Sequence, residues 1–106
     1  MINLASKVYG YLGLATKAGK VSFGTEAVME TITKYKAKLI LIASDCSERT
    51  LKNFQKAVTD YHVPLIVFGT IEELSKAIGK DNKAVVAVKD SNISKEIEKL
   101  INGGGD

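Results

Sequence analysis

Two stretches of this chain, Leu39–Ala43 and Ala84–Val88, are apolar at every position and rich in branched side chains. Neither alternates with polar residues, so as strands they present no face to water. A strand of this kind has to be covered on both sides. The segments around them carry apolar residues at helical spacing, and strands alternating with helices make an α/β fold with helices on both faces of a sheet.

The chain can be read in order on that basis. Leu4, Val8, Tyr11, Leu12 and Ala15 predict a helix over residues 3–17, stopped by Ala18-Gly19-Lys20. Gly10 and Gly13 inside it suggest tight packing against a sheet. Lys20–Phe23 is a very short strand. A second helix starts at Gly24-Thr25-Glu26 and runs to about Tyr35, burying Val28, Ile32 and Tyr35. Lys38–Ala43 is the next strand. Asp45 or Ser47 caps a third helix, Asp45 and Glu48 resembling a capping box, and that helix buries Leu51, Phe54, Val58 and Tyr61. Pro64–Phe68 is a strand with its proline at the tolerated first position. Thr70-Ile71-Glu72-Glu73 is a capping box for a fourth helix that Gly79 ends. After a polar loop over Lys80–Lys83 and the strand Ala84–Val88, Asp90 or Ser91 caps a last helix using Ile93, Ile97, Leu100 and Ile101. The segment Lys38–Phe68 has the length of one right-handed βαβ crossover. The expectation is a three-layer α/β/α sandwich around a small mixed sheet. It is one domain over residues 1–102, with a flexible glycine-rich tail over 103–106.

At 106 residues one core suffices. No apolar run approaches the roughly 20 residues of a membrane span, and the N-terminus lacks the pattern of a secretory signal. One cysteine and one histidine exclude an internal disulfide and a histidine- or cysteine-ligated metal centre. A cytoplasmic location is expected, with no cofactor and no metal.

Enzyme chemistry finds little to stand on. Cys46 and His62 flank one helix of about 14 residues, so roughly 20 Å keeps them apart. Glu72 and Glu73 occupy a helix first turn, where acids offset the dipole. The glycines Gly10, Gly13, Gly19 and Gly24 match no nucleotide-loop spacing. Asp45 and Asp90 both follow strands, and a phosphatase-like Mg²⁺ site would need them together.

Charge is more telling. Residues 1–40 hold six lysines against two acids, an excess of four positive charges, while the rest of the chain is nearly balanced. Within that segment, Lys17 and Lys20 precede the glycine-led helix start at Gly24. A helix N-terminus with free N–H groups attracts phosphate. Gly24 allows close approach, and Ser22 and Thr25 add hydroxyl donors. This describes either a small phosphate-backbone site or an ordinary helix start beside solvated lysines.

The order Ala18-Gly19-Lys20, Gly24-Thr25, Lys38–Asp45, Val63-Pro64-Leu65, Gly69-Thr70, Glu73-Leu74 and Ala77–Lys80 resembles the L-seven-Ae/L-thirty-e ribosomal protein family, in its short bacterial members of the YlxQ type. The resemblance covers about residues 4–100. It implies a non-enzymatic protein that binds structured RNA such as kink-turns, with ribosomal RNA a candidate; a small domain of this kind is expected to be a monomer. In the family the Gly-Thr helix start faces the kink, and the loop after the fourth helix covers a splayed base. Carried over, the first element falls on Gly24, Thr25 and Glu26 with Lys20 beside them, and the second on Gly79–Lys83 with Lys80, Asn82 and Lys83 as contacts; Lys17 and Ser22 join the site from the phosphate reading above. Kink-turn binders usually carry Asn-Glu after Gly-Thr and a lysine one turn later. Here Glu26-Ala27 and Glu30 stand in those places. Glu26 can accept from guanine N–H groups but repels phosphate, and Ala27 has no polar side chain. These acids motivate an alternative, a protein-interaction module on the same fold with little RNA affinity.

Overall fold

The computed structural model describes residues 3–103. Its elements are α1 (Leu4–Lys17), β1 (Val21–Phe23), α2 (Thr25–Thr33), β2 (Leu39–Ile42), α3 (Glu48–Tyr61), β3 (Leu65–Val67), α4 (Ile71–Ala77), β4 (Val85–Val88) and α5 (Ser91–Gly103). The sheet has the order β1-β4-β2-β3. β4 runs antiparallel to both β1 and β2, and only β2 and β3, joined through α3, are parallel. The sheet is therefore mixed, with its two all-apolar strands side by side in the middle.

Those two strands are buried at every residue. Alternate side chains feed two separate cores, as the period of two requires. Leu39, Leu41, Val86 and Val88 pack with Val8, Leu12 and Ala15 of α1, Leu74 of α4 and Ile97 of α5. Ile40, Ile42, Val85 and Ala87 pack with Val28 and Ile32 of α2 and with Phe54, Ala57 and Val58 of α3. The result is the expected three-layer sandwich: three helices on one face, two on the other. Across the first core, Tyr9 on α1 donates toward Glu73 on α4 at 3.4 Å, and its phenol is pushed up to about 12 by burial and by that carboxylate.

Helix starts follow local chemistry. The side chains of Asn3, Ser47 and Thr70 accept the N–H groups of Ser6, Thr50 and Glu73, and Asp90 accepts that of Ile93. Thr70 and Glu73 complete the expected capping box. Asp45 does not cap α3. Ser47 does, and the Asp45 carboxylate instead accepts the Ile71 N–H at 2.8 Å, tying the end of β2 to the start of α4.

Three further expectations are corrected. Tyr35 is not a core residue: α2 ends at Thr33, and Tyr35 lies beyond its cap in the left-handed region (φ 59°), 76% exposed. Neither Gly10 nor Gly13 is pressed against the sheet. A side chain at Gly10 would meet nothing within 4 Å, and one at Gly13 would make ordinary contact with the Ala77 carbonyl on α4. Gly103, assigned to the tail, is the final residue of α5; the remainder of that tail, 104–106, lies outside the described residues. Leu51 and Tyr61 are half-buried, packed at the margin of the second core.

Candidate nucleic-acid interface

The site begins with a helix that lacks a cap. α2 starts from Gly24 at φ 87°, and no side chain bonds to its first turn. Its first intrahelical bond is Val28 N–H to the Gly24 carbonyl at 3.0 Å. The N–H groups of Thr25, Glu26 and Ala27 therefore point out of the helix end with no intrahelical acceptor. The other four helices satisfy part of their first turn with a side chain; α2 leaves its own to a ligand or to water. Gly24 is needed for its left-handed backbone. Its N–H continues the sheet by donating to the Val85 carbonyl at 3.1 Å.

The topology carries the second half of the site to this point. β4 is antiparallel to β1, with Phe23 opposite Val86, so the loop entering β4 lies beside the residues leaving β1. That loop is residues 79–84. Gly79 ends α4 in a Schellman motif, with its own N–H on the Lys76 carbonyl and the Lys80 N–H on the Ser75 carbonyl. Asn82 takes a left-handed turn at φ 52°. The buried Ser75 hydroxyl accepts the Lys83 N–H at 2.8 Å and donates to the Lys83 carbonyl at 3.3 Å. Lys80 and Lys83 are thereby placed with their ammonium groups 5.2 and 5.6 Å from the Phe23 ring centroid, within cation–π range.

Of the sequence-nominated residues, the fold brings Lys83 beside Gly24 at the start of α2 and sets Lys80 and Lys83 on the Phe23 ring, while Thr25 and Glu26 line the cleft toward α3 and Asn82 lines one toward Asp45 and Glu72. It separates Lys17 and Lys20 from them. Lys20 precedes β1 and Gly24 follows it, four residue steps or about 13 Å at strand rise. Lys17, in the last turn of α1, lies toward the Lys20 end. Ser22 is also withdrawn. Its hydroxyl lies 2.7 Å from that of Thr31, which spends its own proton on the Ala27 carbonyl. Ser22 is therefore the donor to Thr31, and its proton is not free for a ligand. Phe23 was missed: it reads as strand filler, and only the return of residues 80–83 turns it into a platform.

The acids on α2 are less opposed to an anion than their number suggests. Glu30 pairs with Lys34 at 2.9 Å, which holds its carboxyl below the ordinary range. Glu26 remains exposed in the first turn.

The enzyme readings do not assemble. Antiparallel β2 and β4 send Asp45 and Asp90 to opposite ends of the sheet, each engaged with a backbone N–H. Among the described residues no group of three His, Cys, Asp or Glu is placed to hold a metal ion. Cys46 and His62 stand at the two ends of α3, which is 14 residues long.

Ser75 supplies a check on how the loop is held. Ser75→Ala should destabilise the protein by about 1–3 kcal/mol, because the buried Ser75 hydroxyl that holds the half-buried Lys83 N–H is lost. A lowered urea midpoint with unchanged slope would show this; an unchanged midpoint would mean the loop is held by other means.

Known proteins agree with this architecture. A structure of a Bacillus halodurans protein of unknown function superposes with a TM-score of 0.87 at 31% identity, covering 91% of this chain and 97% of that one. A 15.5-kD RNA-binding protein of Giardia lamblia shares the fold, with a TM-score of 0.81 at 18% identity over 97% of this chain and 92% of its own. In sequence, the RNA-binding protein YlxQ of Enterococcus faecium is 34% identical over 97 residues, 92% of this chain and 93% of its own length. YlxQ of Bacillus subtilis is also 34% identical, over 85% of this chain and 90% of its own. The sequence profile that matches residues 6–98 spans every strand and both halves of the candidate site, and it is that of the ribosomal protein L7Ae/L30e/S12e/Gadd45 family, to which this chain belongs.

Proposed function

We propose that this protein is a non-enzymatic RNA-binding protein. It would dock a kinked or loop-containing RNA on the α2 N-terminus, with the 80–83 loop closing over it. The observation that carries this reading is the uncapped start of α2 beside two lysines held over one aromatic ring. Free N–H groups and a helix dipole take a phosphate. The lysines add long-range attraction, and the exposed Thr25 and Glu26 side chains in the first turn of α2 offer a donor and acceptors to unpaired base edges, where proteins read RNA. The names borne by the YlxQ relatives support the same class of ligand.

The test is a titration into a kink-turn RNA and a matched plain duplex at low and moderate salt. Phosphate contacts fade with salt on both RNAs, whereas contacts to the kink keep that RNA ahead. The expected result is a preference for the kink-turn that survives moderate salt. Equal binding to both, erased by salt, would refute kink recognition.

One observation favours a second reading. Glu26 and Glu30 line a cleft of about 510 Å³ between α2 and α3, floored by Met29 and Phe54. A groove edged by the Glu26 carboxylate, unpaired among the described residues, over an apolar floor fits a basic peptide better than RNA. On that reading a partner would co-purify after nuclease treatment; its complete loss on nuclease treatment would count against it.

A further inference from the structure

A second basic surface lies at the other end of the sheet. The register that brings Phe23 to the entrance of β4 brings Lys20 to its exit. The Lys89 N–H donates to the Lys20 carbonyl at 2.8 Å, and the Lys38 N–H donates to the Val88 carbonyl at 2.8 Å. Lys20, Lys89 and Lys38 thus end three adjacent strands, whose spacing of about 4.8 Å puts their backbones within roughly 10 Å of one another. With Lys36 and Tyr35 they line one open cleft of about 410 Å³. No carboxylate lines it. Among the described residues the only ion pair is Lys34 with Glu30, so none of these four lysines is ion-paired, although Lys36 lies near enough to Glu30 for its charge to help hold that carboxyl low. Asp90 is the nearest acid in sequence, and its carboxylate is engaged at the start of α5.

Tyr35 is the second observation. α1 and α4 close with Schellman bonds around glycines, Gly19 and Gly79. α2 closes with the same bonds, Tyr35 N–H to the Ile32 carbonyl and Lys36 N–H to the Thr31 carbonyl, but with tyrosine in the left-handed position. A bulky residue is strained there and glycine is not. The ring lies against Tyr61 at 5.2 Å between centroids, yet remains 76% exposed. Its strained placement holds an open aromatic face at the rim of a lysine cleft.

The geometry points to a binding site for single-stranded RNA on this surface, with the phosphate backbone on Lys20, Lys36, Lys38 and Lys89 and one unpaired base on Tyr35. Lysines interleaved with an exposed ring are the means by which single strands are held without reading sequence. An anionic membrane is a poorer fit, since no aliphatic side chain lines the cleft to insert. This site is independent of the kink-turn reading and some 13 Å along β1 from it, at strand rise.

The experiment measures oligouridine binding by fluorescence anisotropy across a salt series. It compares the parent protein, the triple variant Lys36→Glu/Lys38→Glu/Lys89→Glu, the single variant Tyr35→Ala, and Lys80→Glu/Lys83→Glu. The triple variant is expected to lose at least tenfold in affinity. The slope of log affinity against log salt should become shallower by about two, as three single-strand phosphate contacts require. Tyr35→Ala should lose affinity about fivefold or more with the slope unchanged, because stacking releases no counterion. The loop-lysine variant, which keeps all four cleft lysines, should lose clearly less oligouridine affinity than the triple variant. Should a reversal unfold the chain, the same lysines changed to Gln carry the test with a smaller loss. The proposal is overturned if the triple variant binds like the parent, if the loop-lysine variant is the one that loses oligouridine, or if these lysines hold phosphatidylglycerol vesicles while oligouridine is ignored. A protein that shows no kink-turn preference yet loses oligouridine through the triple variant would refute the first reading and keep this one.

Discussion

Reversing both loop lysines, Lys80→Glu with Lys83→Glu, is expected to lower kink-turn affinity at least a hundredfold while leaving the fold intact. Both ammonium groups lie over Phe23 beside the open N–H groups of α2. Two reversals change the local charge by four units, and a phosphate entering the helix end would meet repulsion where it now meets attraction. The loop itself should keep its shape, because Ser75 bonds to the Lys83 backbone and not to its side chain. The variant should therefore unfold at the parent's urea midpoint and fail only in the RNA titration. Lys20→Glu is the informative contrast. The linear motif makes Lys20 a principal contact, but its position at the far end of β1 predicts less than a threefold loss on a minimal kink-turn. A loss through Lys20 as large as through the loop pair would mean that the RNA wraps the whole edge of the sheet.

Leu41→Ala should produce the largest loss of stability of any conservative truncation in the sheet. Leu41 is fully buried on β2, between β4 and β3, and packs into the core beneath α1, α4 and α5. Truncations of this kind cost about 2–5 kcal/mol, a transfer term plus the cavity left behind. Domains of this size hold about 5–15 kcal/mol in all. At about 4–8 °C per kcal/mol, the melting temperature should fall by roughly 8–40 °C. Calorimetry would read this directly, and a drop under 5 °C would show that the helices collapse into the vacated space. RNA affinity measured well below the new midpoint should be unchanged, since Leu41 touches neither basic surface.

The fold was legible because its signals are dense and local. Two all-apolar strands dictate two covering layers, and Thr70 with Glu73 states a helix start in four residues. The errors arose where tertiary partners compete with local ones. Asp45 has the spacing of a cap for α3, yet Ser47 stands closer to that helix and α4 offers Asp45 a free N–H across the fold. Tyr35 continues the apolar period of α2, but the helix ends at Thr33 before the side chain can turn inward.

The site was legible by halves. Gly24-Thr25 announces its own helix start. Lys17, Lys20 and Ser22 look like neighbours of that start on the linear chain, and only the strand between them shows that Lys20 belongs to the opposite end and that the hydroxyl of Ser22 serves Thr31. Phe23 gave no signal, since nothing in a three-residue strand says which loop will arrive above it.

The pairing of β1 with β4 has a consequence for synthesis. β1 has no neighbour in the sheet other than β4, some 60 residues later. While the chain is being made from its N-terminus, the middle of the molecule can pair as soon as β2, α3 and β3 have emerged. β1 must wait, held between α1 and α2 with its edge bonds unmet, until residue 88 is free. Both basic surfaces depend on that late pairing, one at each end of β4. A nascent or truncated chain would therefore carry the lysines without their arrangement, and RNA recognition would switch on only when the last strand slots into the sheet.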